Sequence, residues 1–505
     1  MATLVRDLMS SPAITAGVET TLTEAGRKMA EAQTGSVIVT GDGGKVVGIL
    51  TERDLLRAAA AGADPNMETT RLWMTEHPDV LGPEEEAGAA WSSLTHHHYR
   101  HLPVVDAEGL VGVVSLRDLM GIALIRPATE QQVSRGLEGV VVAETAVGDV
   151  RGREGFYHYR QYSATELAQK RSFEDVWYLM LNGDLPTRPE AEAFESQVRS
   201  LRAIPNTLNA LLPSIVADGS VLDVLRTAVS VLGAEAGFKP THDIDGGELH
   251  AQLMQIGSVV PTILAQAHRL RLDLEAVSPR EDLGHAANYL WMLTGEMPTE
   301  EHARAIEQYM ILAIDHGFNA STFTARVIVS TGADLAAAVC GAIGALSGPL
   351  HGGAPSRALD MLEQIGSADK AEAWLRDAVI EGRRLMGFGH RVYKTEDPRS
   401  AFLRDVARSL DARHFELANQ IEQVALRVLA ELKPERELCT NVEFYAGVVM
   451  DACGIPPDMF TPTFAAARTV GWSAHIAEQA ADNRLIRPAA RYAGPPAPQP
   501  VYERG

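Results

Sequence analysis

The strongest constraint on the fold is an internal repeat in the first 125 residues. The segment VVGILTERDLLRA at 46–58 matches LVGVVSLRDLMGI at 110–122, with a constant offset of 64 positions (112 minus 48). Equivalent positions carry a glycine, a hydroxyl residue and an aspartate: Gly48, Thr51 and Asp54 in the first copy, and Gly112, Ser115 and Asp118 in the second. A chain that begins this way contains two related structural units.

Each copy has the pattern of a small α/β unit. In the first copy, a capped helix is predicted to begin near Thr21, and strands are predicted at 37–39 and 46–50. The second copy repeats the two strands at 103–105 and 111–114. Neither copy is large enough to bury a core by itself, so we expect the two to pack together.

Residues 1–122 resemble a tandem pair of CBS (cystathionine-β-synthase) domains, on the Gly-h-x-Thr/Ser-x-x-Asp signature of both copies. Such pairs commonly bind adenosyl ligands. The resemblance implies that Thr51 and Ser115 contact a phosphate at a helix start, where N–H groups favour anions, and that Asp54 and Asp118 accept hydrogen bonds from ribose. The alternative is that the two hydroxyls only cap the following helices.

Charge and cysteine content limit the kind of protein. The chain of 505 residues carries a formal net charge of −21, which opposes binding to nucleic acid or anionic membranes. The longest apolar stretch, Leu335 to Leu346, is too short to span a membrane and fits a buried helix. Three cysteines without a CxxC pair, and a start without a signal peptide, predict a cytoplasmic protein without disulfides.

The chain changes character after the repeat. Residues 123–135 have no clear amphipathic period and are predicted to be a linker. From Gly136 to about residue 490 helical patterns dominate, for example behind the acidic first turn that follows Thr299. Residues 493–505 are rich in proline and predicted to be an extended or disordered tail.

Two histidine segments indicate the chemistry of this helical part. SGPLHGGAPSRALDMLEQIG at 347–366 and MGFGHRVYKTEDPRS at 386–400 each set a histidine among small residues at a turn. With GLEGVVVAETAVGDV from 136, DHGFNASTFTARV at 315–327 and the segment at 441–488, they resemble citrate synthase over residues 136–490. The resemblance implies a mainly α fold, with an all-α large domain at 136–350 and 447–492 and a small domain at 351–446.

The resemblance also implies the catalytic groups. The family condenses acetyl-CoA with oxaloacetate and then hydrolyses the thioester. Removing a proton from the acetyl methyl needs a carboxylate base and a hydrogen bond to the forming enolate oxygen. Neutral His351 is expected to give that hydrogen bond, His390 to protonate the ketone of oxaloacetate, and Glu443 to act as the base.

Substrate contacts follow from the same motifs. Guanidinium forks match the two carboxylates of oxaloacetate. The expected oxaloacetate ligands are Arg399 and Arg468 within the subunit, Arg487 from the partner subunit, and the polar pair His316 and Asn319. The expected coenzyme A contacts are the backbone of Met386, Gly387, Phe388 and Gly389 at the adenine, and Lys394 at a phosphate.

Other interpretations of these residues remain open. A histidine beside glycines is more often a turn or core residue, and only the long motifs assign His351 and His390 to catalysis. Standing alone, Arg468 and Arg487 would be assigned to salt bridges on a helix surface. No metal site is expected at His96, His97, His98 and His101, because adjacent histidines point in different directions and no suitably spaced carboxylate or thiolate accompanies them. Trp472 and His475 are expected to be core and interface residues.

One departure from the family pattern concerns the base. The family usually has aspartate where this chain has Glu443, which adds one methylene. A misplacement of about 1 Å can cost roughly a hundredfold in rate. Compensation by the backbone, reduced turnover and a different preferred substrate all remain open.

The sequence therefore predicts a citrate synthase, as a homodimer or larger homo-oligomer, modulated by adenine nucleotide at the CBS pair. No cofactor is required beyond the coenzyme A thioester substrate. The first alternative is a 2-methylcitrate synthase that uses propionyl-CoA, because one methylene in a pocket is worth only about 1–3 kcal/mol. The second is a nucleotide-sensing protein with a weak or inactive synthase part.

Overall fold

The chain forms two compact units in the computed structural model. The structure describes residues 4–499 except 97–98, 117, 120–134, 138, 217–218, 350, 352–353, 391, 394 and 496. The first unit comprises Met1–Val140 with Ala489–Gly505, and the second comprises Val141–Pro488. The predicted linker lies almost wholly outside the described residues, and the described part of the tail has neither helix nor strand.

The first unit contains the repeated strand-turn-strand pattern. Its strands are β1 (Thr15–Gly17), β2 (Ser36–Thr40), β3 (Val46–Thr51), β4 (Thr75–Glu76), β5 (His101–Val105) and β6 (Leu110–Ser115). Its helices are α1 (Leu22–Glu31), α2 (Glu52–Ala60), α3 (Thr70–Trp73) and α4 (Ala87–His96). Thr21 caps α1 by accepting a hydrogen bond from the Glu24 N–H, so the helix start predicted from the capping pattern is confirmed.

The two copies exchange their leading segments. The sheet of the first copy has the order β1-β2-β3-β4, and its last strand comes from the start of the second copy. In return, Ser10 pairs with Val113 of β6. Each repeated glycine makes room for a methionine of the exchanged segment, because a Cβ at Gly48 or Gly112 would lie 2.4 Å from Met74 Sδ or 2.7 Å from Met9 Sδ. The expectation that the copies pack together is confirmed.

The second unit is mainly helical. Its strands are β7 (Gly148–Arg151), β8 (Phe156–Tyr159) and β9 (Tyr162–Ser163), which form one antiparallel sheet in that order. Its first helices are α5 (Ala164–Lys170), α6 (Phe173–Asn182), α7 (Arg188–Ser200), α8 (Asn206–Val216), α9 (Val221–Ala236), α10 (Gly246–Arg271), α11 (His285–Thr294) and α12 (Glu300–Ala313). The remaining helices are α13 (Ala320–Ser330), α14 (Leu335–Leu346), α15 (Ala354–Ile365), α16 (Ala368–Ile380), α17 (Pro398–Ser409), α18 (Phe415–Leu432), α19 (Val442–Ala452) and α20 (Phe460–Ala481).

The core of this unit is built around α10 and α20, which are buried on most of their faces. The apolar stretch at 335–346 forms the buried helix α14, as predicted, and Asp334 caps it through the Ala337 N–H. Among the described residues, no helix is long and apolar enough to cross a membrane. The predicted class, a mainly α chain preceded by an α/β pair, is confirmed.

Candidate active site

Three separate segments carry the predicted catalytic side chains. His351 follows the end of α14, His390 lies in the loop before α17, and Glu443 lies in the first turn of α19. The loop before His390 is fixed to the start of α19. The Asn441 N–H donates to the Gly387 carbonyl, the Asn441 side chain donates to the Gly389 carbonyl, and both distances are 2.9 Å.

His351 is held in one neutral tautomer. The Ser321 N–H donates to its Nε2 at 3.3 Å, and the Ser321 hydroxyl lies 2.9 Å from the same atom. Trp472 Nε1 in turn donates to that hydroxyl at 3.1 Å. Since Nε2 accepts, the ring proton is on Nδ1. Burial, with the charge of Arg468, lowers the pKa of His351 to about 4, so at pH 7 His351 is neutral.

His390 has the opposite tautomer. The N–H groups of Val392 and Tyr393 both donate to its Nδ1 at 3.0 Å, which leaves the ring proton on Nε2. The His316 ring lies 5.3 Å away in an edge-to-face contact. Burial, the neighbouring arginines Arg399 and Arg468, and His390 lower the pKa of His316 well below its usual value. His316 therefore stays neutral beside His390.

Arg399 is buried and held by an aspartate. Its Nε and one Nη donate to the two oxygens of Asp397 at 3.0 and 2.8 Å, which is a bidentate pair. The same Nη lies 3.5 Å from Nε2 of His390. Part of the fork predicted to hold substrate is therefore used on Asp397, and the other Nη makes no hydrogen bond to any residue that the structure describes.

Arg468 is almost fully buried, with 1% of its surface exposed. Its Nε donates to the Ala313 carbonyl at 2.8 Å, and its guanidinium lies 4.5 Å from the ring centre of Phe464. The alternative of a surface salt bridge is wrong for this residue. Burial lowers its pKa although Asp315 opposes the shift, and among the described residues no carboxylate forms an ion pair with it. A buried cation in this state favours an anionic ligand.

Glu443 is half-buried at the start of α19. Asn441 caps the helix by accepting the Glu443 N–H at 3.1 Å. Burial raises the pKa of Glu443 to about 7, while the charges of Arg399 and Arg384 oppose the shift. A carboxyl group with a pKa near neutrality is well suited to accept and release a proton.

The other predicted substrate contacts differ in their surroundings. Asn319 caps α13, since its amide oxygen accepts from the Thr322 N–H and the Ser321 hydroxyl, and its nitrogen donates to the Gly317 carbonyl. Arg487 is exposed after the end of α20. Lys394 lies outside the described residues. The roles of all three stay predictions.

Some backbone groups of Met386–Gly389, the loop predicted to contact adenine, already form hydrogen bonds within the protein. Besides the two carbonyls bound by Asn441, the Gly389 N–H donates to the Cys439 carbonyl at 2.8 Å. Gly387 has a φ of +82°, and a Cβ there would lie 2.8 Å from the side chain of Phe444, so this position requires glycine. An adenine contact with Met386–Gly389 would have to use other backbone groups.

In the repeat, the hydroxyl and aspartate of each copy bind each other. Thr51 donates both its N–H and its hydroxyl to Asp54, at 2.8 Å each. Ser115 donates the same two groups to Asp118, at 2.8 and 2.6 Å. This is the capping arrangement that the sequence left as the alternative. Nucleotide binding by these residues stays a prediction. His97 and His98 lie outside the described residues, and the expectation of no metal site there also stays a prediction.

Sequence reasoning missed three residues that position the site: Asp397, Tyr393 and Ser321. Asp397 also accepts the Val442 N–H at 3.2 Å, so one carboxylate connects Arg399 to the first turn of α19. Tyr393 lies between His316 and His390. Only Asp397 had a local signal, because an aspartate directly before proline is a common helix cap. Trp472 and His475 are fully buried, so their expected place in the core is confirmed, and their place at an interface stays a prediction.

Comparison with known proteins shows the family of the chain. The model of the C-terminal domain of citrate synthase matches residues 136–489, and the CBS domain model matches residues 5–61 and 70–124. The citrate synthase of Acidithiobacillus ferridurans is 37% identical over 378 residues, which are 72% of this chain and 96% of that protein.

Two solved structures are also similar. Citrate synthase from Thermotoga maritima has a TM-score of 0.65 at 37% identity, covering 73% of this chain and 98% of the other. The Thermoplasma acidophilum enzyme, solved as a ternary complex with carboxymethyl coenzyme A and oxaloacetate, has a TM-score of 0.68 at 30% identity, covering 74% and 98%.

The fold and these relatives define the chain as an acyltransferase. It belongs to the citrate synthase family and carries a tandem CBS pair before the synthase part.

Proposed function

We propose that the protein condenses acetyl-CoA with oxaloacetate and hydrolyses the product thioester to citrate and coenzyme A. The observation that carries this proposal is Arg468, a buried guanidinium without a carboxylate ion pair among the described residues. Arg399 lies close enough for its charge to act on Arg468. Two neighbouring buried cations suit a substrate with two carboxylates.

The proposed mechanism assigns one proton to each catalytic group. The Glu443 carboxylate removes a proton from the acetyl methyl, and Nδ1–H of His351 donates a hydrogen bond to the enolate oxygen. The methylene carbon then bonds to the ketone carbon of oxaloacetate. Nε2–H of His390 gives its proton to the oxygen that becomes the hydroxyl. Water finally cleaves the thioester and releases the thiol of coenzyme A.

The tautomers support these assignments. A neutral imidazole donates through one nitrogen only. Nε2 of His351 accepts a hydrogen bond from the Ser321 N–H, so it is not the donor. The two backbone N–H groups do the same at Nδ1 of His390. Each histidine therefore has a single donor nitrogen, on the side of its ring away from these backbone contacts.

The decisive test measures thiol release with oxaloacetate and acetyl-CoA. Wild-type protein should release coenzyme A only when both substrates are present. Glu443→Gln should abolish release and keep oxaloacetate affinity, measured by calorimetry, within about threefold, because the base contacts the acyl methyl and not the keto acid. Glu437→Gln is the matched control, since Glu437 is exposed in the preceding loop and should leave the rate unchanged. Full activity of Glu443→Gln would refute the assigned base.

Because Glu443 is longer than the usual aspartate, the identity of the acyl group of the substrate is a separate question. Propionyl-CoA differs from acetyl-CoA by one methylene, and it would make this a 2-methylcitrate synthase. A ratio of kcat/KM that favours acetyl-CoA by about tenfold or more supports the citrate reaction, since one methylene is worth about 1–3 kcal/mol. A ratio that favours propionyl-CoA assigns the alternative.

The CBS pair is proposed to bind an adenine nucleotide that shifts the kinetics of the synthase part. Both helix starts carry the repeated hydroxyl and aspartate, and a nucleotide phosphate would have to displace the hydroxyl from the aspartate. Any modulation requires that the nucleotide bind two states of the protein with different affinity.

The test compares the full chain with a chain that starts near Gly136. Relatives such as the Acidithiobacillus enzyme consist almost entirely of the synthase part, so the shorter chain is expected to fold. ATP, ADP or AMP should change the kinetics of the full chain only. Kinetics that stay the same with and without each nucleotide, in the full chain as in the shorter one, would refute the proposal. Nucleotide binding without release of coenzyme A would instead favour the nucleotide-sensing alternative.

A further inference from the structure

Tyr393 contacts three of the groups assigned to oxaloacetate. Its hydroxyl lies 3.1 Å from Nε2 of His316, and its ring lies 4.8 Å from the His390 ring. The guanidinium of Arg399 lies 5.8 Å from the centre of the same ring. Only 2% of the Tyr393 surface is exposed, so its position is set by these neighbours and not by solvent.

The hydrogen bond to His316 has a defined direction. An imidazole nitrogen is a far stronger base than a phenol oxygen, so the stable arrangement of a neutral pair is O–H donating to nitrogen. Burial raises the pKa of the Tyr393 hydroxyl, although the charge of Arg399 opposes the shift, and the hydroxyl keeps its proton. His316 then carries its own proton on Nδ1.

We propose that Tyr393 is a positioning residue for oxaloacetate, whose hydroxyl holds His316 in the Nδ1–H tautomer so that His316 donates a hydrogen bond to the keto acid. The inference rests on the proposed function. Tyr393 needs no contact with the substrate, since it acts through His316. Its backbone N–H, which donates to Nδ1 of His390, is independent of the side chain and is kept in any substitution.

The test is Tyr393→Phe, which removes the hydroxyl and keeps the ring. The expected result is an increase of about tenfold or more in the KM for oxaloacetate, because a buried hydrogen-bonding group loses its partner. The KM for acetyl-CoA should stay within about twofold, because His316 does not contact the thioester in the proposed mechanism. An unchanged KM for oxaloacetate would overturn the inference.

Tyr289→Phe is the matched control. Tyr289 is fully buried and its hydroxyl lies 2.8 Å from that of Thr463, so the same atom is removed elsewhere in the core. We expect a lower melting temperature in this control and an unchanged KM for oxaloacetate. If Tyr393→Phe behaved in the same way, its role would be structural only.

A double-mutant cycle tests the route through His316. In a His316→Gln background, Tyr393→Phe should cause no further increase in the KM for oxaloacetate, because the group on which the hydroxyl acts is gone. An equal increase in both backgrounds would refute the assigned route. If the wild type releases no coenzyme A, the same comparison is made with the affinity for oxaloacetate measured by calorimetry. Failure of the proposed function can therefore be distinguished from failure of this inference.

Discussion

The environment of Glu443 sets the pH range of the proposed reaction. A carboxyl group whose pKa is raised to about 7 by burial is protonated below that pH and cannot act as a base. We therefore expect kcat/KM for acetyl-CoA to rise with pH through a midpoint at about 7 and to level off roughly one pH unit above it. A rate profile that is flat from pH 5.5 to 8 would contradict this prediction.

Removing the charge of Arg384 tests whether nearby arginines lower the pKa of Glu443. Arg384 favours the ionised form of Glu443, so Arg384→Gln should move the midpoint of the profile to higher pH. Arg383→Gln is the matched control, because Arg383 is exposed and paired with Glu381, and it should leave the midpoint in place. A shift to lower pH in Arg384→Gln would refute the electrostatic explanation.

At the same scale, the sequence predicted the identity of the reacting groups better than their supports. His351, His390 and Glu443 lie in long motifs that are visible in one chain. The second role of Asp397 is not visible, because its partner Val442 lies 45 positions further along the chain. The position of Tyr393 between two histidines likewise depends on a loop conformation that no local pattern encodes.

Among the secondary structure elements, the hairpin of β7 and β8 contacts the loop that follows His390. A Cβ at Gly152, in the turn of the hairpin, would lie 2.1 Å from the Val392 carbonyl oxygen, and the Thr395 hydroxyl donates to the Gly152 carbonyl at 3.5 Å. The opposite end of the hairpin joins Val141–Val147, which directly follows the first unit in the chain. In chain order, this hairpin holds the first strands of the second unit.

This contact predicts that Gly152→Ala impairs catalysis more than stability. The added methyl must displace the backbone at Val392, whose N–H orients His390, and a displacement of about 1 Å can cost roughly a hundredfold in rate. Measured kcat should fall by about tenfold or more, with a small change in melting temperature. Gly246→Ala is the control, because a Cβ there has no neighbour within 4 Å. Wild-type kcat in Gly152→Ala would contradict the proposed contact.

Helices were more predictable than this sheet for a local reason. Thr299 begins α12 and Asp334 begins α14 through caps that involve residues three positions away, so both starts are encoded within a single turn. The strands β7–β9 have two to four residues each. Their pairing depends on contacts between segments, and the helical patterns that dominate after Gly136 gave no sign of them.

At the scale of the whole molecule, the exchange of segments between the CBS copies could not be predicted from the repeat. The repeat predicts two similar units but not which leading segment completes which sheet. Only the structure shows that Met74 packs against Gly48 of the first copy, and Met9 against Gly112 of the second. Separating the two copies would therefore leave both sheets incomplete.

The exposed position of Arg487 bears on the assembly. A guanidinium assigned to an oxaloacetate carboxylate lies on the surface of the single chain, in a stretch without helix or strand after α20. Arg399 and Arg468, assigned to the same substrate, are buried. The difference is explained if Arg487 completes the site of a partner subunit, as the resemblance to the family implies, and the predicted homodimer is then required for activity.

Hybrid dimers test this arrangement. Glu443→Gln and Arg487→Ala should each be inactive alone. If Arg487 acts across the interface, a hybrid has one intact site, formed by Glu443 of one chain and Arg487 of the other. Random mixing of the two variants should then restore about a quarter of wild-type activity, because half of the dimers are hybrids with one working site of two. A mixture of Glu443→Gln with His351→Asn is the control and should stay inactive, since both groups belong to one chain's site. No recovery in the first mixture, with exchange of subunits confirmed by differently tagged chains, would place Arg487 outside the partner's site.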